Sequence, residues 1–375
     1  GDEVPLYFYS HLFLSRPDLR PMFPIAMTGQ RDKLVGALGR IVSNVDQLDD
    51  VTPFIQQLGR DHRRFSVVAE HYNAVGASLL ATLKQFLGGA WNDQLAADWA
   101  AAYGVIARVM VEAAEESSDS QPAWWDAEVV SVDRRTMDVT VLQLRPEQAY
   151  GYQPGQSFAM EVPQRPRLWR YFSPANAPRE DGTIDLHVQL VDGGQVSSAL
   201  VRSVKPGDEV KLGAPVGDQL AWSGTDRRDL LLVAGGTGLA PLRAVVDQVD
   251  RVWQAEGSGP QVHLFHGVRV PWNLYDREWL SALAEQRPWF DYTEVVSDDH
   301  SFPGARGPVG TYAAKDQSWL GRLALVCGGP QMVSHTVHEL TAAGVPAEDI
   351  RYEQFHHVGA GDTDDDALSR SGDHQ

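Results

Sequence analysis

The sequence predicts a multidomain fold, with an all-α N-terminal domain, an antiparallel β-barrel and an α/β domain on a parallel sheet. Three observations predict it. The chain has 375 residues, enough for two or three separate cores. Its apolar residues recur every three or four positions up to about residue 116 and every second position beyond it. From about Asp229 onward, apolar strands alternate with helical stretches.

The first domain is assigned to residues 1–116. The stretches Val67 to Leu87 and Trp99 to Ala114 are rich in alanine with leucine or valine and lack internal proline, so both read as amphipathic helices. Glu115 to Pro122 is acidic, serine-rich and ended by proline, and a linker is placed at 117–123. The second domain, 124–222, opens with two strands, Ala127 to Val132 and Met137 to Leu144, around the polar turn Asp133-Arg134-Arg135. Strands at Asp185 to Val191 and Glu209 to Leu212, separated by Gly and Pro, extend it toward a small barrel. The third domain, 223–358, carries buried-type strands at Leu230 to Ala234, Val262 to His266 and Leu323 to Cys327, with a helix from Pro241 to Gln254. Residues 359–375, with a run of aspartates, read as a disordered acidic tail.

Composition narrows the function. Hydrophobic residues at 43% and charged residues at 22% exclude a largely disordered or fibrous chain. The net charge of −18 repels a phosphate backbone, so no nucleic-acid partner is expected. Cys327 is the sole cysteine and has no internal disulfide partner, which fits a reducing, cytoplasmic setting. No apolar run is long enough for a membrane span, and no protein partner is indicated. The chain opens on Gly1 and enters an apolar pattern at once, so the expectation is that its true start is missing.

The densest chemistry lies in the last two domains. Gly235-Gly236-Thr237-Gly238-Leu239-Ala240-Pro241 joins an apolar strand to a helix, where glycines admit a pyrophosphate and the helix N-terminus attracts it. Taken alone, it is a weak signal, and a mere tight turn is the lesser alternative. Arg170-Tyr171-Phe172-Ser173 offers a guanidinium for phosphate, rings for a flat heterocycle and a hydroxyl for a ring or ribityl atom. A second glycine turn, Gly193-Gly194-Gln195-Val196-Ser197, enters another helix and could hold another phosphate. With Tyr152-Gln153-Pro154-Gly155-Gln156 upstream, and Cys327-Gly328-Gly329-Pro330 and Phe355 downstream, residues 124 to 357 resemble the ferredoxin–NADP reductase family. The resemblance implies that Arg170, Tyr171, Phe172, Ser173, Gly194, Gln195, Val196 and Ser197 serve FAD. It also implies that Gly236, Thr237, Gly238, Leu239, Ala240, Pro241 and Cys327 serve the nicotinamide nucleotide, with Phe355 near the flavin ring. Two departures stand out: Phe172 replaces the family's usual tyrosine, and Ser157 stands where tyrosine is frequent. Cys327 reads either as a thiol near the nicotinamide or as a small buried strand residue.

Among twelve histidines, His335 and His338 share a helical spacing that could invite a metal reading but lack further ligands, so a solvated helix face is the favoured reading. His356 and His357 adjoin Phe355 and could tune it or mark a polar chain exit. His62, in Gly59-Arg60-Asp61-His62-Arg63, is by residue chemistry alone no better a ligand than His71. Together with Tyr9, Phe23, Gln30 and Tyr72, however, the N-terminal segments resemble the globin domain of bacterial flavohemoglobins, in which a globin is fused to a FAD- and NAD-dependent reductase. That resemblance implies haem b, with His62 as proximal ligand, Phe23 against the haem, Tyr9 and Gln30 as the distal polar pair, and Tyr72 beside the proximal histidine. The separation of 14 between Tyr9 and Phe23 matches the family. Against that resemblance the first globin helix is expected to be missing from this chain, and the loop before Gln30 is short. Asp61 replaces the usual lysine, and the glutamate that normally pairs with the proximal tyrosine falls at Ala114, with Glu112 and Glu115 out of register.

The function so implied is a nitric oxide dioxygenase, an NAD(P)H-dependent oxidoreductase with O2 and nitric oxide as partners. NADH is the expected donor, because Ser297-Asp298-Asp299 puts carboxylates where relatives hold a 2′-phosphate; NADPH, with Arg269 as a compensating cation, is the alternative. Two other classes remain open from sequence: a haem-based oxygen or redox sensor with its own reductase, and a flavin reductase serving a separate acceptor.

Overall fold

The computed structural model describes residues 2–43, 48–315 and 319–355, and within these the chain forms two compact units. The expected acidic tail and His356 and His357 lie outside the described residues.

The first unit is helical: α1 (Glu3–Ser15), α2 (Thr28–Ser43), α3 (Leu48–His62), α4 (Ala69–Leu87) and α5 (Asp93–Ser118). Asn92 starts α5 by accepting the Leu95 N–H on its side-chain oxygen, and Asp93 adds a negative charge to the first turn. Gly59 sets the crossing of α3 and α5, since a Cβ there would sit 2.2 Å from the Met110 carbonyl oxygen. The core of this unit is split. One apolar cluster gathers Phe8, Tyr9, Leu12 and Leu19 with Phe23, Leu34 and residues of α4; the other gathers Ile41, Val51, Phe54, Ile55 and Met110 with Leu58 and Tyr72. The polar stretch from Glu115 continues α5 as far as Ser118, because Ser117 is buried and accepts from the Arg63 guanidinium, which also donates to the Gln121 carbonyl.

In the second unit, β1 (Trp125–Arg134), β2 (Val139–Pro146), β3 (Ser157–Glu161), β4 (Arg170–Phe172), β5 (Ile184–Gln189) and β6 (Glu209–Val216) form a sheet ordered β4-β3-β6-β1-β2-β5. The pairings β1–β2, β2–β5, β3–β4 and β3–β6 are antiparallel. Pro174, just past β4, bridges Leu186 of β5, so the two edges of the sheet meet and the sheet curls into a barrel. A helix, α6 (Gln195–Arg202), follows β5.

The second sheet, ordered β10-β9-β8-β7-β11-β12, is parallel throughout. Its strands are β7 (Leu230–Gly235), β8 (Val262–Val268), β9 (Phe290–Val296), β10 (Ala305–Arg306), β11 (Leu323–Gly328) and β12 (Ile350–Gln354). Helices α7 (Leu239–Glu256), α8 (Arg277–Gln286), α9 (Val309–Ala313) and α10 (Pro330–Ala342) connect them. Burial on both faces explains why Leu230 to Ala234 and Leu323 to Cys327 read as unbroken apolar runs. The chain runs from β7 outward through β8 and β9, then returns to place β11 on the other side of β7. The sheet therefore switches direction between β7 and β11, where open α/β sheets bind ligands at their carboxyl ends.

Candidate functional site

Both glycine-rich segments of the third domain lie at that switch point. Gly236 has φ +54°, the left-handed region that glycine tolerates, and the 3-10 turn Gly236–Gly238 leads directly into α7 with Leu239, Ala240 and Pro241 buried in its first turn. Gly238 is required by proximity, because a Cβ on it would lie 2.2 Å from the Cys327 carbonyl oxygen. Cys327 is fully buried on β11, opposite Glu353 of β12. Phe355 donates its backbone N–H to the Gly328 carbonyl at 2.7 Å and packs half-buried against the core of the parallel domain. Gly236, Gly238, Cys327 and Phe355 are thus brought to one end of the sheet.

In the barrel, Arg170, Tyr171 and Phe172 form β4, all half-buried, with Phe172 opposite Phe158 of β3. Ser173 follows them; its Oγ is buried without a hydrogen-bond partner among the described residues, an orphan that a bound ligand atom would satisfy. Ser157, where a tyrosine is frequent, is buried on β3. Gly194 is the N-cap of α6, ahead of Gln195 and Val196. Ser197 is committed to that turn: its Oγ accepts from the Val191 N–H at 3.2 Å and donates to the Gly194 carbonyl at 3.3 Å. Its structural part is to shape the turn, a contribution the sequence did not disclose.

In the helical unit, Tyr9 is buried on α1 and its hydroxyl meets Gln30 of α2 twice, donating to the Gln30 carbonyl and accepting from the Gln30 amide, both at 3.3 Å. Burial pushes the Tyr9 pKa up to about 12, against a smaller opposing effect of the Gln30 hydrogen bond, so the hydroxyl keeps its proton. Phe23 packs edge-on to Tyr9 at 5.6 Å between ring centroids. Tyr9, Gln30 and Phe23 are therefore brought together within the helical unit. His62 ends α3, with its ring centroid 6.3 Å from that of Tyr72. Its Nδ1 lies 2.6 Å from the Leu58 carbonyl, which can only accept, so Nδ1 carries the hydrogen. The ring is half-buried by surface yet closely surrounded, and desolvation holds its pKa below the usual value despite the Leu58 carbonyl and Asp61. A neutral ring with hydrogen on Nδ1 leaves a bare Nε2 lone pair, the form that ligates a metal.

The departures expected on this side have structural consequences. Asp61 accepts from the Gln57 amide at 3.1 Å and lies 3.7 Å from Arg64. Glu112 and Glu115 are exposed, Glu112 beside Arg108, so neither carboxylate serves Tyr72. Tyr103 of α5 instead donates to the Tyr72 carbonyl at 2.7 Å. Burial pushes the Tyr72 pKa up to about 12. His335 pairs with the Thr311 hydroxyl at 3.0 Å, His338 is exposed, and no group of three potential metal-holding side chains occurs among the described residues.

Sequence reasoning missed a buried polar cluster joining barrel and parallel domain. His187 of β5 shares a 2.8 Å hydrogen bond with the Tyr275 hydroxyl, and Arg243 Nε stands 2.9 Å from Asp276 Oδ2, an ion pair not aligned as a hydrogen bond. Desolvation, then the neighbouring Arg243, holds His187 well below its ordinary pKa, so the ring is neutral. A histidine inside an alternating strand was the available signal.

A helical unit with a ligation-competent imidazole and a buried polar pair, joined in one chain to a barrel and a parallel sheet with a dinucleotide turn, defines a haem- and flavin-containing oxidoreductase. Three family models match in that order: Globin over residues 6–110, Oxidoreductase FAD-binding domain over 125–220, and Oxidoreductase NAD-binding domain over 232–338. The chain is 29% identical over 307 residues to the flavohemoprotein of Bordetella parapertussis, covering 77% of this chain and 75% of that one. It is 26% identical over 387 residues to the flavohemoprotein of Bacillus subtilis, covering 95% and 92%. In fold it is similar to the flavohemoglobin of Malassezia yamatoensis with bound FAD and heme, at TM-score 0.73 and 19% identity over 95% of this chain and 94% of that one. The chain thus joins a globin domain to FAD-binding and NAD-binding oxidoreductase domains, an NAD(P)H-dependent oxidoreductase for haem and FAD that is similar to the flavohemoproteins. No helix among the described residues is long and apolar enough to cross a membrane.

Proposed function

We propose that this chain is a nitric oxide dioxygenase, converting nitric oxide and O2 to nitrate with electrons from NADH, and that it works in the cytoplasm. The observation that carries the reading is the buried Tyr9 hydroxyl paired with the half-buried Gln30 amide beside Phe23, in the same unit as a neutral His62. When bound, FAD splits a hydride into single electrons, and haem supplies the iron that takes up one electron and O2. Each nitrate consumes one electron, so one hydride serves two turnovers.

The chain's residues then have distinct tasks. His62 offers Nε2 to the iron, while the Leu58 carbonyl fixes the ring's tautomer and orientation. With no glutamate beside Tyr72, the ring carries less negative charge than one hydrogen-bonded to a carboxylate. Tyr9 would present its proton to a ligand of the haem. Without a ligand, that proton rests on the Gln30 carbonyl through a long bond, which a more basic, negatively charged oxygen can displace. The Gln30 amide donates to the same hydroxyl oxygen and holds it while the proton turns. In the barrel, Ser173 Oγ is the free group for a flavin or ribityl atom, β4 supplies Arg170 and the Tyr171 and Phe172 rings, and Gly194 to Ser197 form the second phosphate turn. The turn from Gly236 to Pro241 receives the pyrophosphate at the start of α7, with Cys327 and Phe355 closing the nicotinamide end.

The test is a purified holoenzyme given NADH, O2 and nitric oxide. Nitrate should form at two per NADH, and the spectrum should show a haem Soret band with flavin absorbance. NADH oxidation without nitrate, in a sample with full haem, sinks the proposal.

A further inference from the structure

His266 stands near the end of β8, fully buried, and the electron path above makes no use of it. Its Nε2 lies 3.1 Å from the carbonyl of Gly236 in the dinucleotide turn. A carbonyl only accepts, so Nε2 carries the hydrogen and donates it. On the opposite side, Nδ1 lies 3.5 Å from the Tyr292 hydroxyl. Burial holds Tyr292 above its ordinary range, so that hydroxyl keeps its proton and is the donor to a bare Nδ1. Burial also lowers His266 to about 4, which leaves the imidazole neutral with a single hydrogen, the state this arrangement requires. The Tyr275 ring packs perpendicular to it at 6.0 Å and is itself tied to His187 of the barrel.

We propose that His266 is a positioning residue for the nicotinamide dinucleotide: it holds the Gly236 carbonyl toward the protein interior and thereby aims the turn at the pyrophosphate. The reason is peptide geometry. The Gly236 carbonyl and the Thr237 N–H share one planar trans peptide and point in opposite directions, so fixing the carbonyl on His266 turns the amide hydrogen away from it. Gly236 at φ +54° has no Cβ to hold the peptide plane, and rotation there costs little unless the carbonyl is tethered. The Leu239 N–H that also reaches this carbonyl belongs to the same turn and moves with it, whereas His266 anchors the turn to the sheet.

The inference rests on assigning the Gly236 turn to the dinucleotide, and the experiment separates the two. In the holoenzyme, flavin reduction by NADH is followed under anaerobic conditions for His266→Phe, His266→Gln and Thr237→Asp. His266→Phe keeps a ring but loses the donor. Its KM for NADH should rise roughly three- to tenfold, with FAD content, melting temperature and the rate at saturating NADH near those of the parent. Glutamine restores an N–H at the same reach and should bring KM back to within about twofold of the parent. A parental KM in the phenylalanine variant, or a glutamine variant no better than phenylalanine, overturns the role of His266. Thr237→Asp puts a carboxylate on the turn itself; an unchanged KM there overturns the turn assignment and the inference with it, whereas a raised KM alongside a parental His266→Phe removes only the histidine's role. Should His266→Phe fail to fold, nitrogen NMR of the histidine-labelled parent decides. The signal absent from His266→Gln must show hydrogen on Nε2 and a bare Nδ1, and the reverse tautomer overturns the proposal.

Discussion

The helical unit and the reductase unit bury apolar surface in different ways. In the parallel domain, Leu230, Leu232, Val245, Leu264 and Leu325 are fully excluded from solvent within one core, without help from any ligand. The helical unit has two much smaller clusters, against the large ones on the two faces of the parallel sheet, and leaves Leu14 83% and Ile25 93% exposed. A flat apolar group bound beside Tyr9, Phe23 and His62 would add buried surface that the helices alone do not supply. The difference leads us to expect that haem adds more to the stability of the helical unit than a dinucleotide adds to the parallel domain. Their sites also differ in kind. The proposed dinucleotide turn would act through backbone, with glycines where side chains would collide, while the proposed haem site would act through a few side chains whose protonation is set by burial.

The largest expected effect follows directly. His62→Ala should give haem-poor protein whose helical unit melts at lower temperature, because a tightly bound ligand stabilises the folded state it selects. Reduction of FAD by NADH should be unchanged, and His71→Ala should retain haem. Calorimetry with haem and flavin quantitation decides; loss of haem from the His71 variant instead would move the proximal ligand. The mirror experiment is Gly238→Ala. A methyl there meets the Cys327 carbonyl at 2.2 Å, and overpacking of this kind costs roughly 1–3 kcal/mol. NADH-driven flavin reduction should fall about tenfold or more while haem stays bound and dithionite still reduces it. Haem loss in this variant would break the contrast between a self-sufficient unit and a dependent one.

The same contrast explains what could be read from the sequence. The parallel sheet was legible because strands buried on both faces must be continuously apolar, and Leu230 to Ala234 and Leu323 to Cys327 show it. The Gly236 turn was legible because close backbone approach leaves only glycine. Tyr9 and Gln30, by contrast, are 21 residues apart on different helices, and nothing in local spacing joins them; only resemblance to a family brought them together. His266 was hidden for a related reason: its partners Gly236 and Tyr292 are each more than 20 residues away, and a lone polar residue in a buried strand does not say what it bonds. Composition was misleading at Glu115 to Ser118, where a polar, linker-like stretch stays helical because Arg63 anchors Ser117 from another part of the same unit.

A smaller effect sharpens the side-chain half of the comparison. Tyr9→Phe should leave haem content and flavin reduction intact and speed O2 dissociation about tenfold or more, since a hydrogen bond to a charged acceptor is worth roughly 1.5–3 kcal/mol. Because burial holds the Tyr9 pKa up to about 12, the donor is intact at neutral pH and the difference between parent and variant should be flat across about pH 6 to 9. Gln30→Leu should act in the same direction but more weakly. Stopped-flow O2 dissociation that is unchanged in both variants would make Tyr9 a core aromatic and leave the dioxygenase reading without its distal pair.

The smallest effect concerns charge on the surface of the parallel domain, where side chains are expected to choose between the two dinucleotides. Asp298 accepts from the Ser297 hydroxyl at 2.6 Å and from Arg269 Nε at 2.9 Å, and these two contacts, the serine first, hold its pKa below the usual carboxylate value. The carboxylate is therefore charged at neutral pH, and Arg269, the cation that a 2′-phosphate would need, is already engaged by it. NADH should be preferred over NADPH in kcat/KM. Asp298→Ala removes the repulsion and releases Arg269, so the preference should narrow by roughly threefold to tenfold, the scale of one exposed charge pair at about 1 kcal/mol. Both groups are well exposed, so the narrowing should shrink as ionic strength rises and the Debye length contracts. Steady-state rates with both dinucleotides at low and high salt test this. A parent that prefers NADPH would show that Arg269 outweighs Asp298. An alanine variant with the parental ratio would place the discrimination between NADH and NADPH elsewhere than at Asp298.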